Sequence, residues 1–404
     1  MMQRCRPGPS LLAVLLTVAG GCGAVGSDAD ADPTVRIDTI GGVVHVINGE
    51  RGVWDDAGGT WRVDAGEALT IGEADGPEAY VFGRVSGVYV ADDGRIYVAD
   101  SQALETRVFS PAGEFVGRFG RGGEGPGEFG HIGGIGRAPD GGIALLDGEL
   151  GRVSVFDPDG VFRRAFRLER PFMILTMGES VRFDGAGRYY DVTRLSRVIG
   201  TDSLGVIRYS AEGTVEDTTL IAVQEPRNVL FERDGLLVMS MRLPYAPQAS
   251  GAVGPDGTAY ATLGAEYRIT RFAADGDTAL VIRRKIPPVR LSDAERDSAR
   301  ADLVERHREV VDAEPRNVPE IPEHAPAVLA LRVDDLGFLW ALRAAAGDSL
   351  RWDVFDPAGP YLGTLTLPAM NIMHIGERFV AGVVYDDLDI PSVVVLPLAR
   401  QPSD

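Results

Sequence analysis

Val88-Tyr-Val-Ala-Asp-Asp-Gly-Arg-Ile-Tyr-Val-Ala-Asp100, followed by Thr106-Arg-Val-Phe-Ser-Pro-Ala-Gly-Glu-Phe-Val-Gly-Arg-Phe119, sets four β-rich runs around two glycine turns. The phrase returns as Ile135-Gly-Arg-Ala-Pro-Asp-Gly-Gly-Ile-Ala-Leu-Leu-Asp147 and Gly151-Arg-Val-Ser-Val-Phe-Asp-Pro-Asp-Gly-Val-Phe-Arg-Arg-Ala-Phe166. A unit of about 40 residues with four short strands cannot bury both of its faces alone, so it stacks on copies of itself.

Three further copies follow: Ser180–Val192 with Val206–Val215, Gly251–Thr262 with Tyr267–Gly276, and Leu329–Leu342 with Arg351–Leu362. The C-terminal runs Arg378–Val384 and Val393–Leu398 fall short of a whole unit. So do the N-terminal runs Val35–Ile37, Val43–Ile47, Trp61–Val63 and Leu69–Ile71. If the N-terminal strands complete the last sheet, no edge is left open and the chain makes six blades. The expected fold class is therefore all-β, a closed ring spanning residues 34–398 with a short tail at 399–404. One segment breaks the rhythm. Ser292 followed by Glu295 is a capping box, so a helical insertion is expected at about 291–314, with Ala299, Leu303 and Val310 as a narrow apolar stripe. Pro315, Pro319, Pro322 and Pro326 then force an extended return.

Composition agrees with many tight turns, since the chain carries 51 glycines and 25 prolines in 404 residues. The formal net charge of −19 argues against nucleic acid as a partner, because no basic stripe is present to neutralise phosphates. It also disfavours adhesion to anionic headgroups.

At the N-terminus Arg4 and Arg6 precede the apolar run Leu11–Val18, too short to span a bilayer and expected as a signal peptide over 1–21. Ala19-Gly-Gly-Cys22 resembles the lipobox of bacterial lipoproteins, though without the usual Leu three positions before the cysteine. That resemblance implies a lipidated Cys22 and an outer-membrane destination facing the periplasm or cell surface, since Gly23 rather than Asp follows; the small, acidic residues up to Pro33, without apolar periodicity, suit a flexible tether over 22–33. Membrane attachment would then rest on the acyl anchor alone.

Gly94-Arg-Ile-Tyr-Val-Ala-Asp100, Arg107-Val-Phe-Ser-Pro-Ala-Gly113 and the linker Phe119-Gly-Arg-Gly-Gly-Glu-Gly-Pro-Gly-Glu-Phe129 resemble the NHL-repeat type of six-bladed β-propeller, as found in bacterial lipoproteins. The match is specific in the first two blades and patterned in the others. The linker glycines have no following Gly-Lys-Ser/Thr and no helix, so they are not a phosphate loop. They let the chain cross between blades, with Phe129 expected between two of them.

Candidate site residues are few. Asp100, Asp147 and Asp191, read as the ends of second strands, are an acidic ring on one face or, more often in this repeat, acceptors for backbone amides. His131 is placed near the channel mouth, as a loop histidine or a site residue. The other histidines, His45, His307, His324 and His374, share no metal-like spacing. Tyr189, Tyr190 and Tyr245 are expected as exposed aromatics near inner-strand ends, with Arg194 and Arg242 close by in sequence. Tyr245, bracketed by prolines, is pre-ordered for contact or packs at a blade edge. No activated nucleophile is visible. The leading expectation is a monomeric, envelope-tethered binding or scaffold propeller that holds a protein or small ligand on one face, without cofactor. The alternative is a channel-centred, metal-dependent hydrolase or lyase of the lactonase-like kind with a divalent cation such as calcium, which rests on analogy of fold.

Overall fold

The computed structural model describes residues 34–57, 60–169, 181–195, 202–225, 227–273, 276–343 and 350–400. Within them the repeats form six antiparallel sheets, each built outward from an inner strand a to an outer strand d. Blade 1 holds Val85–Val90, Ile96–Asp100, Glu105–Phe109 and Phe115–Phe119. Blade 2 holds Ile132–Arg137, Ile143–Asp147, Arg152–Phe156 and Phe162–Arg167. Blade 3 follows with Arg182–Phe183, Tyr189–Arg194, Asp202–Tyr209 and Val215–Gln224. Blade 4 contains Ser250–Val253, Ala259–Thr262, Arg268–Phe272 and Thr278–Arg284, and blade 5 contains Ala330–Val333, Leu339–Arg343, Leu350–Phe355 and Tyr361–Leu367. The a–b turns need a left-handed residue to reverse within so few positions, which glycine supplies at Gly94 (φ 84°) and Gly337 (φ 89°).

Blade 6 takes Asn371–Ile375, Phe379–Tyr385 and Pro391–Arg400 from the C-terminal end. Its outer positions come from the other end of the chain: Trp61–Val63 and Leu69–Ile71 both pair antiparallel with Pro391–Arg400. Closure is visible in the packing. Six apolar cores each join two consecutive blades, through Tyr97 and Ile135 for blades 1 and 2, Leu146 and Tyr189 for 2 and 3, and Tyr190 and Val253 for 3 and 4. Tyr260 and Phe355 join blades 4 and 5, Trp340 and Leu396 blades 5 and 6, and Val383 and Val88 join blade 6 back to blade 1. The fold is a six-bladed β-propeller.

Not all the N-terminal strands serve the last blade. Val35–Ile40 and Val43–Asn48 form a hairpin on the outer edge of blade 4, where Val43–Asn48 runs parallel to Thr278–Arg284. The reason lies in two side chains. Val46, 1% exposed, completes the core between blades 4 and 5, and the Asn48 amide donates to the carbonyls of Arg283 and Gly359 while accepting from Tyr361 N–H at 2.8 Å. Closure of blade 6 is left to the two short strands Trp61–Val63 and Leu69–Ile71.

The insertion is larger than its helix. The helix spans Asp293–Val311 with the Ser292/Glu295 capping box formed, and the return strand Glu314–Asn317 pairs with Asn228–Arg233, itself paired with Leu236–Arg242. Val229, Phe231, Leu243, Leu291, Leu303 and Ile321 give this unit a core of its own.

Candidate functional site

Strand b ends at Asp100 in blade 1 and at Asp147 in blade 2, and both carboxylates are fully buried. Asp100 accepts from the backbone N–H groups of Gly83, Arg84, Gln102 and Ala103 at 2.9–3.2 Å. Asp147 accepts from Gly130, His131, Glu149 and Leu150 at 2.9–3.3 Å. Each thus ties the incoming linker to the b–c loop, and four donors fill the acceptor sites of one carboxylate. His131 is half-buried beside this bracket, joined to it by its backbone N–H. Cys22 lies outside the described residues.

Blade 3 departs from the pattern. Phe183 pairs with Tyr189 as Val90 pairs with Ile96, so Thr193, and not Asp191, occupies the place of Asp100. Asp191 sits within strand b, which runs on to Arg194, and lines a cavity in the central channel with Gly133, Arg182, Gly251 and Leu331. Tyr189 and Tyr190 are not exposed. They are 2% and 8% accessible, because successive residues of strand b point into the two cores that flank the blade. Arg194 is exposed. These residues therefore do not converge on one site.

The channel itself offers little room. Its cavity is about 60 Å³, enough for a few waters and well below the ~300 Å³ at which organic ligands are usually held. At the a–b turn end Arg182 of blade 3 reaches past blade 4 to the Val333 carbonyl (2.7 Å) and to Asp335 (2.9 Å) in blade 5. Asp335 also accepts from His374 Nε2 of blade 6 at 2.8 Å, while His374 Nδ1 accepts from Val90 N–H and its ring stacks on Tyr89 of blade 1. Burial alone would raise the Asp335 pKa, but the hydrogen bond from His374 and the hydrogen bond and charge of Arg182 outweigh it and hold the group down to about 2. Partners so distant in sequence leave no local signal: neither Arg182 nor Asp335 is singled out by the sequence reading, and His374 is taken there only as a histidine without metal-like spacing. Among the described residues, no group of three or more His, Cys, Asp or Glu side chains could hold a metal ion.

Larger spaces lie on the opposite face, where the b–c loops and d–a connections emerge. One cavity of about 470 Å³ separates the end of blade 3's outer strand, Ile221–Val223, from Ala261–Leu263, Glu266 and Arg268 of blade 4. A second, of about 270 Å³, opens on the other side of the same b–c loop, between Tyr267, Arg284, the Pro287-Pro288 pair and Arg343. The insertion borders this rim. Arg242 Nη1 and Gln224 Nε2 both donate to the Pro247 carbonyl, and Leu243 and Ala246, both buried, fix a turn closed by Ala246 N–H to the Leu243 carbonyl at 3.1 Å. Within that turn Tyr245 has φ 56° and is 39% exposed. The third position of such a turn asks for glycine or asparagine, and a bulky side chain there carries strain of ~1–3 kcal/mol.

A family model described as 6-bladed beta-propeller matches residues 76–192. Similar solved structures include a DUF4221-family protein of Bacteroides vulgatus, at 10% identity and TM-score 0.48 over 84% of this chain and 98% of that one. Virginiamycin B lyase of Staphylococcus aureus is another, at 10% identity and TM-score 0.37 over 84% of this chain and 100% of that one. The WD40 repeats of RRP9 match at 12% identity and TM-score 0.45, over 84% and 100%. No curated protein matches. No helix of the described residues is long and apolar enough to cross a membrane.

Proposed function

We propose that the chain is an exported binding propeller, tethered through a lipidated Cys22, that holds a protein or small ligand on the b–c face at the rim of blades 3 to 5. Tyr245 carries this reading. A half-exposed aromatic kept at positive φ on a turn anchored from both sides is costly for the fold and useful for contact, since its ring is ordered before a ligand arrives. The two cavities of ligand size open on the same face, whereas the channel is narrow and crossed by ion pairs at its other end. The carboxylates that an acidic ring would need at Asp100 and Asp147 are taken up by backbone amides.

Tyr245→Gly separates fold from function. Relief of the strained φ offsets the lost ring packing, so stability should stay within about 1 kcal/mol of the wild type. Native mass spectrometry and pull-down from envelope fractions should recover a stoichiometric ligand or partner with the wild type and lose it with the variant. Equal recovery by both would remove Tyr245 and this rim from the reading. For the tether, Cys22→Ser should move the protein from the membrane to the soluble envelope fraction; retention in the membrane would refute lipid anchoring.

A further inference from the structure

Arg343 ends strand b of blade 5 at the position that Asp100 and Asp147 hold in blades 1 and 2. Beside it the fully buried Asp353 accepts from four donors: Arg284 Nη1 at 2.5 Å, Tyr267 Oη at 2.6 Å, Thr364 Oγ1 at 2.6 Å and Arg343 Nε at 3.2 Å. Arg284 is otherwise engaged by the Glu50 carbonyl and lies 3.6 Å over the Tyr361 ring. One saturated carboxylate therefore faces two guanidinium groups. The positive charge in excess falls on Arg343, whose side chain is 20% exposed and whose Nη1 and Nη2 have no acceptor among the described residues.

Arg343 lines the cavity of about 270 Å³. Tyr267 and Arg284, both already bonded to Asp353, line it as well; the remaining wall is largely apolar, with Ile286, Pro287, Pro288, Val289, Pro326 and Ala327, and exposed Glu266 stands among the lining residues. We infer that this cavity binds a small monocarboxylate with an apolar body, the carboxylate paired to the Arg343 fork and the body against the proline wall. A guanidinium presents two parallel N–H donors that match a carboxylate. Glu266 disfavours a second negative charge on the ligand, and the proline-rich wall offers apolar area at low entropic cost. The inference deepens the rim reading above and rests on it.

Hexanoate, 1-hexanol and hexylamine titrated into the full chain, followed by calorimetry and thermal shift, test it. Hexanoate should bind saturably and raise the melting temperature, with hexanol and hexylamine weaker by about tenfold or more, the scale of a charge-assisted hydrogen bond. Arg343→Met leaves Asp353 three of its donors and should fold, yet lose about tenfold in hexanoate affinity. Ala327→Phe fills the cavity with every charge in place and should abolish binding. Equal binding of hexanoate and hexanol, undiminished binding by either variant, or no binding of hexanoate to the wild type overturns the carboxylate assignment. Ligand recovery that still depends on Tyr245 would then leave the rim reading standing, so the two failures are distinguishable.

Discussion

Asp147 and Asp335 show how one residue type does opposite work at the two ends of the ring. Asp147 is satisfied entirely by backbone N–H groups and fastens consecutive segments of chain. Asp335 joins blades 3, 5 and 6 through Arg182 and His374, and its stability contribution depends on remaining ionised. Its folded pKa, about 2, lies below the ordinary 3.8, so the contribution is present in full above about pH 4 and is lost as pH falls through 2. The full shift corresponds to about 2.4 kcal/mol, but 40% of the side chain faces solvent, and screening reduces this to about 1 kcal/mol. Asp335→Asn should therefore lower the urea-derived stability by about that amount at pH 6, with the gap to the wild type narrowing between pH 4 and pH 2. A gap that stays constant across that range would show that the charge on Asp335 contributes nothing.

Elements were legible where their signals are local. The capping box at Ser292 and Glu295 marks the helix start, and the glycine turns mark the blade hairpins. The hairpin Asn228–Arg242 carried a signal too: Asp234-Gly235, both at positive φ (53° and 77°), is the two-residue turn that hairpins favour. Its second strand reads Leu236-Leu-Val-Met-Ser-Met-Arg242 without alternation, so the run did not look like a half-buried strand. Met239 and Met241 face the insertion's own core, whereas Leu236, Leu237 and Val238 are exposed near the tip. Tyr189 and Tyr190 misled for the converse reason. A blade buried on both faces has no exposed side to its inner strands, and two neighbouring aromatics there serve two different cores. The rim cavity was hidden in the repeat itself. Aligned on their a–b pairing, the strand-b ends read Asp100, Asp147, Thr193, Leu263 and Arg343, and the one change from acid to base stands where the ion cluster is built.

At the scale of the whole ring, the repeat count gave the number of blades, but which N-terminal strands close the last one depends on contacts made across more than 300 residues. Trp61–Val63 and Leu69–Ile71 are the only described N-terminal strands paired to blade 6, and Trp61 is buried there under the Arg400 guanidinium at 4.2 Å. Val35–Asn48 instead extends an already complete blade 4. Two truncations should therefore behave differently. A chain that starts after Asn48 loses the Val46 side chain and the Asn48 hydrogen bonds, a cost of a few kcal/mol by the ~1.5–3 kcal/mol for a buried valine and ~1 kcal/mol per hydrogen bond, while ring closure survives. A chain that starts after Ile71 leaves the outer edge of Pro391–Arg400 unpaired and exposes the core between blades 5 and 6. The first should unfold in one cooperative, down-shifted transition; the second should show fast amide exchange across blade 6, loss of cooperativity and self-association in sedimentation. If the longer truncation stays monomeric with blade 6 protected, the short strands are dispensable, and closure must rest on the C-terminal strands alone.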